Sequence, residues 1–267
     1  SRVPMGASVA DRNFGFPFGP RVQARYESVG GLVGQGISAE MIAEKWNISR
    51  DELDAFGVRS QEYAARATRE GRFQNEIIPV LDAEGNMMSQ DEGLRDTTME
   101  SLGSLKPAFD KDGTVTAGNA SQISDAGSAI VMMSKREAER RGVKPLGEFV
   151  SYGMVAGPDN ASLLHQPSRS IMKALERAGK TVSDVDLFEI NEAFAAVGIA
   201  SMRELGISDD IVNVNGGAIA LGHPIGMSGN RLALTLLHEL QRRGGGMGAA
   251  ALCGGGGQGD ALIVRTV

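Results

Sequence analysis

The sequence predicts an α/β fold. Short apolar runs that read as strands alternate with helical stretches from about residue 125 to residue 267, and glycine clusters in the last quarter, punctuating those runs. The first 115 or so residues lack that alternation and read as a separate, more irregular unit. A layered structure with a largely parallel or mixed sheet is therefore expected over 125–267.

The elements follow in order. Residues 1–37 are rich in Gly and Pro and read as loop, after which Ser38 is expected to cap a short helix through Trp46. Ser49-Arg50-Asp51-Glu52 has the form of a capping box, and the helix it opens places Leu53, Phe56, Ser60, Ala64 and Ala67 on one face before ending near Gly71. Residues 75–81 read as a strand, a polar loop runs to about Thr98, and 114–124 is a turn region of small residues. The run 126–133 suits a buried strand. A charged helix over 135–141, a strand over 147–155, a helix over 169–178 closed by Gly179, and a strand over 186–190 come next. A strand over 212–215, a long helix from Ser228 to about Arg243, and strands over 249–252 and 261–264 complete the chain.

Composition excludes several classes. The formal charge of -6 and the absence of a Lys/Arg cluster argue against nucleic-acid binding, and 42% apolar residues suffice for a buried core. No run of eighteen apolar residues appears, and Ser1-Arg2-Val3-Pro4 offers neither a signal-peptide core nor an initiator Met, so a cytoplasmic, non-membrane and clipped chain is expected. With Cys253 as its single cysteine the chain can form no internal disulfide or multi-cysteine metal site, and the thiol is either packing or chemistry. His165 and His238 have no partner at metal-ligand spacing, and no metal site is expected.

Chemistry concentrates at three strand-to-loop junctions: Asn191-Glu192-Ala193-Phe194; Asn215-Gly216-Gly217-Ala218 through Gly222-His223-Pro224-Ile225-Gly226; and Cys253-Gly254-Gly255-Gly256-Gly257. Strand ends of α/β sheets are where functional groups converge. An amide, an imidazole and a thiol together can position water, shuttle a proton and supply a base. Each also has a structural reading: Asn191 as a helix cap, Gly222-His223-Pro224 as a turn, and Cys253 as a small core residue.

These three motifs, with Phe109-Asp110-Lys111-Asp112-Gly113-Thr114-Val115-Thr116-Ala117-Gly118-Asn119-Ala120-Ser121 and the stretch from Ser49 to Phe73, resemble the thiolase family over nearly the whole chain. The resemblance implies a thiolase-like layered αβαβα fold, represented here by its C-terminal half (147–267), a remnant of the N-terminal half (125–146) and a loop domain covering coenzyme A (1–124). It implies CoA-dependent cleavage of 3-ketoacyl-CoA to acetyl-CoA and a shortened acyl-CoA, or the reverse condensation, through an acyl-cysteine. His223 then activates the nucleophile, Cys253 is the acid/base, Asn191 holds an oxyanion-hole water, and the Gly255 N–H serves a second oxyanion hole. Oriented N–H groups and the imidazole are expected to lower the Cys253 pKa. Ser121, Ala193 and Phe194 would line the pantetheine tunnel, with Arg95 toward the nucleotide phosphates. Coenzyme A is substrate, no separate cofactor is implied, and the family assembles as homodimers or homotetramers.

The chain departs from the family in two respects. The segment with the nucleophilic cysteine is absent, which leaves a catalytically inactive CoA-binding fragment or scaffold as the alternative reading. Gly34-Gln35-Gly36 and Met227 stand where short-chain biosynthetic members carry a His-Met pair and a small residue, which points to a degradative enzyme. A ketoacyl synthase, built on Cys-His-His, is disfavoured by Asn191 and Cys253.

Overall fold

The computed structural model describes residues 19–28, 31–156 and 164–267, so part of the 1–37 loop lies outside the described residues. Within that stretch Pro20–Glu27 forms α1, whose proline pre-sets the first turn. Gln35–Lys45 forms α2, which starts earlier than expected: Gly34 precedes it without a side-chain cap and Ser38 is buried inside it. Packing of α2 on a later helix overrides the capping preference of that serine.

Arg50–Arg69 forms α3 behind the predicted capping box. Glu52 N donates to Ser49 Oγ at 3.2 Å, and Ser49 N donates to Glu52 Oε2 at 2.9 Å. Leu53, Phe56, Ser60, Ala64 and Ala67 lie on its buried face, as their spacing predicts. The expected strand over 75–81 shrinks to Val80–Leu81 (β1), paired antiparallel with Met87–Met88 (β2). Ile78, Val80 and Leu81 remain exposed, because a lone hairpin offers that apolar run no core.

Two short helices, Met99–Gly103 (α4) and Lys135–Arg141 (α5), flank a segment in which the strand expected over 126–133 does not form. Residues 126–133 form no regular structure, and Ile130 to Met133 are exposed. A strand needs a neighbour for its N–H and C=O groups, and none stands there among the described residues.

The remainder is the α/β unit: Gly147–Ala156 (β3), Pro167–Ala178 (α6), Leu187–Ile190 (β4), Ala195–Leu205 (α7), Ala218–Leu221 (α8), Ile225–Arg242 (α9), Met247–Gly254 (β5) and Gln258–Thr266 (β6). The sheet order is β3-β6-β5-β4, parallel between β4 and β5 and antiparallel elsewhere. Alternation along the strands divides the core. Phe188, Ile190, Ala249, Ala251 and Ile263 meet Ile171, Ala174 and Leu175 of α6, whereas Leu187, Ala250 and Val264 meet Leu232, Leu236 and Leu240 of α9. A helix–sheet–helix sandwich results, and α3 packs across α7 and α8 at the end of the sheet where β4 and β5 finish.

The expected strand over 212–215 is reduced to isolated bridges. Asn213 sits in the left-handed region with φ 48°, and its side chain takes over the ladder. Its Oδ1 accepts from Ile190 N and its Nδ2 donates to Ile190 O, each at 2.8 Å. The long helix starts at Ile225 rather than Ser228, which is buried in its first turn.

Candidate active site

β4 leads into Asn191, whose N–H donates to Ala251 O at 2.9 Å and so extends the β4–β5 ladder toward Cys253. The amide does not cap a helix, since α7 begins behind Phe194 with no side-chain cap. Instead Asn191 is fully buried with Nδ2 3.2 Å from His223 Nε2. Among the described residues its Oδ1 has no partner.

A second contact fixes the histidine. His223 Nδ1 lies 2.6 Å from Ser228 Oγ, and that hydroxyl already donates its one proton to Pro224 O at 2.9 Å. Ser228 must therefore accept, so the neutral ring carries its proton on Nδ1 and turns the Nε2 lone pair toward Asn191. Burial, with the positive charge of Arg231, holds the His223 pKa below the ordinary imidazole range and keeps Nε2 able to take a proton at neutral pH. Ser228 is a functional residue that sequence reading missed; its place one turn into the helix after Gly222-His223-Pro224 was the available signal. Nitrogen NMR of the imidazole is expected to show the Nδ1–H tautomer in the native chain and a mixture in Ser228→Ala.

The two loops are locked by Glu192, also fully buried. Its carboxylate accepts from Ser60 Oγ at 2.5 Å, Asn213 Nδ2 at 2.9 Å and Ile219 N at 3.1 Å. Gly217 passes so close that a Cβ there would overlap the carboxylate, which explains the glycine without appeal to dihedral freedom. At Gly222, by contrast, φ is 87° and a Cβ would also strike Ser124, so both conformation and space require glycine.

The segment with Ser121 runs along the same edge. Ala120 bridges Phe194, Ser121 N donates to Ala193 O at 3.1 Å, and His223 N donates to Gln122 O at 3.0 Å. Arg95 is exposed and its Nη2 donates to Gln122 Oε1 at 3.1 Å, so the structure brings Arg95, Ser121 and His223 to one edge. Ala193 and Phe194 are nearly enclosed, with Phe109 standing edge-on to Phe194 at 5.8 Å between ring centroids.

Cys253 lies at the end of β5, opposite Gly259 of β6, packed against the core cluster that holds Ala193 and Phe194. Gly255 is exposed in the turn that follows. The expected lowering of the thiol is not what the chain provides. Cys253 keeps some exposed surface, yet its surroundings are apolar and burial pushes its pKa up to about 12. Among the described residues no group of three His, Cys, Asp or Glu is arranged to hold a metal ion, and no helix is long and apolar enough to cross a membrane.

Behind the site lies a buried charge cluster. Arg231 Nη1 is 3.1 Å from Glu189 Oε2, and Thr235 Oγ1 donates to Glu76 at 2.7 Å. Burial raises Glu76 to about 7 and Glu189 to about 8, the latter against the pull of Arg231. A carboxyl raised on folding contributes stability that is fully present below its unfolded value and lost as pH rises through the folded one. Burial lowers all three histidines, so their contribution is complete above 6.5 and is lost as pH falls through their folded values. Between pH 6.5 and about 8 the carboxyls therefore dominate, and the urea midpoint is expected to fall across that window by the equivalent of roughly 1–2 kcal/mol. Glu189→Gln should flatten that slope.

The chain matches the thiolase N-terminal domain over residues 29–136 and the thiolase C-terminal domain over residues 143–266. It is 53% identical over 222 residues to a probable acetyl-CoA acetyltransferase of Mycolicibacterium smegmatis, an alignment that takes in 81% of this chain and 57% of that protein. The crystal structure of the Bacillus anthracis acetyl-CoA acetyltransferase superposes with a TM-score of 0.85 at 38% identity, covering 94% of this chain and 67% of that one. Human mitochondrial 3-ketoacyl-CoA thiolase in complex with CoA gives 0.82 at 39% identity, covering 88% and 59%. The chain belongs to the thiolase family. It spans 56% to 60% of the length of curated relatives such as these acetyl-CoA acetyltransferases.

Proposed function

We propose that this chain supplies the CoA-binding and enolate-handling half of a thiolase that cleaves 3-ketoacyl-CoA with CoA, or joins two acyl-CoA molecules in reverse. The observation that carries it is the Asn191–His223 pair, with its tautomer fixed by Ser228, at the strand ends where Cys253 also lies. In the condensing direction the Cys253 thiolate takes a proton from the acetyl-CoA methyl group. The enolate oxygen then accepts from a water that Asn191 holds and whose second proton goes to the His223 Nε2 lone pair, and the Gly255 N–H serves the acyl carbonyl. In cleavage the thiol returns its proton to the departing enolate. Cys253 is the chain's single cysteine, so the acyl-cysteine step is assigned to a residue beyond these 267.

Arg95 is assigned to the nucleotide phosphates of CoA, Ser121 to its pantetheine arm, Ala193 and Phe194 to the apolar wall of that tunnel, and a homodimer or homotetramer to the whole protein in the cytoplasm. Gly34-Gln35-Gly36 and Met227 favour the degradative direction. One observation favours the rival reading of a CoA-binding scaffold without turnover: a thiol at about 12 is a poor base precursor at neutral pH.

Exchange of acetyl-CoA methyl protons with D2O needs no acyl-enzyme and separates the two readings. Exchange that is lost in Cys253→Ser supports the proposal. CoA binding without exchange leaves the scaffold, and neither binding nor exchange overturns both.

A further inference from the structure

One buried titratable side chain takes no part in that chemistry. His165 is fully buried, and its Nε2 lies 2.6 Å from Glu204 Oε2. The same carboxylate accepts from Ser168 Oγ and has Arg169 Nε at 3.9 Å. The ring rests on Trp46 with centroids 4.1 Å apart, and Lys45 Nζ stands 4.7 Å over the far ring. Burial keeps the imidazole neutral, opposed by Glu204 and aided by Arg169 and Lys45, so its proton is on Nε2, facing the carboxylate. Nδ1 then has no partner among the described residues. A buried, half-satisfied imidazole is a costly way to fill space, which an apolar side chain would do better.

Its neighbours show what the arrangement holds in place. The last turn of α7 grips both members of the tilted ring pair, because Arg203 Nη1 donates to Trp46 O at 2.7 Å while Glu204 takes His165. His165 lies between Leu164, which is buried in the same core cluster as Ala193 and Phe194, and Gln166. Gln166 presses on Gly259 so tightly that a Cβ there would overlap it, and Gly259 is the cross-strand partner of Cys253. Residues 164–166 thus lie against the strand pair that carries the thiol.

We propose that His165 is a positioning residue for Cys253: its bond to Glu204 and its tilted ring contact with Trp46 seat Leu164 and Gln166 against the Cys253–Gly259 pair and keep water from the thiol. The device ties the thiol's packing to α7, the helix that leaves the Asn191-Glu192-Ala193-Phe194 loop. Its importance for turnover rests on the acid/base role proposed above for Cys253.

The test reads the thiol itself. Cys253 is the only cysteine of the chain, so the pH dependence of iodoacetamide alkylation reports it alone, whether or not the chain acts on CoA esters. His165→Ala and Glu204→Gln are expected to let water in, move the alkylation profile to lower pH and raise the rate at pH 8 by about tenfold for each unit the thiol falls. His165→Gln, which keeps a donor toward Glu204, should stay nearer the native profile than His165→Ala. His238→Ala, on α9, should leave it unchanged. Should His165→Ala not fold, Glu204→Gln, whose carboxylate is partly exposed, decides alone. A lower urea midpoint with an unmoved alkylation profile would show that His165 merely stabilises the fold, and would overturn the proposal. Failure of the D2O exchange with a shifted alkylation profile would sink the thiolase chemistry and leave the positioning role standing.

Discussion

Glu192→Ala is expected to lower the unfolding free energy by about 4 kcal/mol and the midpoint of thermal unfolding by roughly 10 °C. The carboxylate is fully buried and joins parts of the chain that are remote in sequence: Ser60 of α3, Asn213 beside β4, and the start of α8 at Ile219 N. Its removal leaves those donors without an acceptor where water does not reach, and each orphaned group costs about 1–3 kcal/mol, less than additively. Ser60 also accepts from Gly217 N at 3.2 Å, so the loop before α8 loosens with it. Glu192→Gln keeps one acceptor oxygen and is expected to fall between the two. Urea unfolding followed by circular dichroism checks both variants. A loss below about 1 kcal/mol for the alanine would mean that the buried donors find other acceptors, contrary to the closed network described.

His223→Ala is expected to reduce acetyl-CoA methyl exchange by about 10²- to 10⁴-fold, the range usual for removing a positioned acid–base group. Stability should change little, because the ring is only partly buried and its bonds go to Asn191 and Ser228. The pH profile carries the sharper check. Burial and Arg231 depress the imidazole, so the neutral ring persists to a pH below the ordinary 6.5, and the acid limb of the rate attributable to His223 should lie below that value. Arg231→Met, which removes the charge, should move that limb upward. An acid limb above 6.5 in the native chain would contradict the environment described for His223.

The α/β alternation, the capping box at Ser49 and the buried face of α3 were legible in the sequence because they depend on local spacing, and local spacing survives folding. The junctions holding Asn191, His223 and Cys253 were legible as strand ends for the same reason, and their resemblance to thiolases agrees with the family that the comparisons show. The misreadings share a physical cause. Residues 126–133 and 75–81 have strand-like composition, but pairing depends on a neighbour supplied by other parts of the chain. At Asn213 a side chain replaced a backbone partner, and periodicity carries no sign of such a substitution.

The sequence by itself determined the class of fold, the family and the residue types at the site. Only the tertiary structure decided which nitrogen of His223 is free, that Ser228 and Glu192 hold the loops, and that the Cys253 thiol is pushed up rather than down. Hydrogen-bond direction and dielectric surroundings depend on groups far apart along the chain, and no local pattern encodes the distance between them.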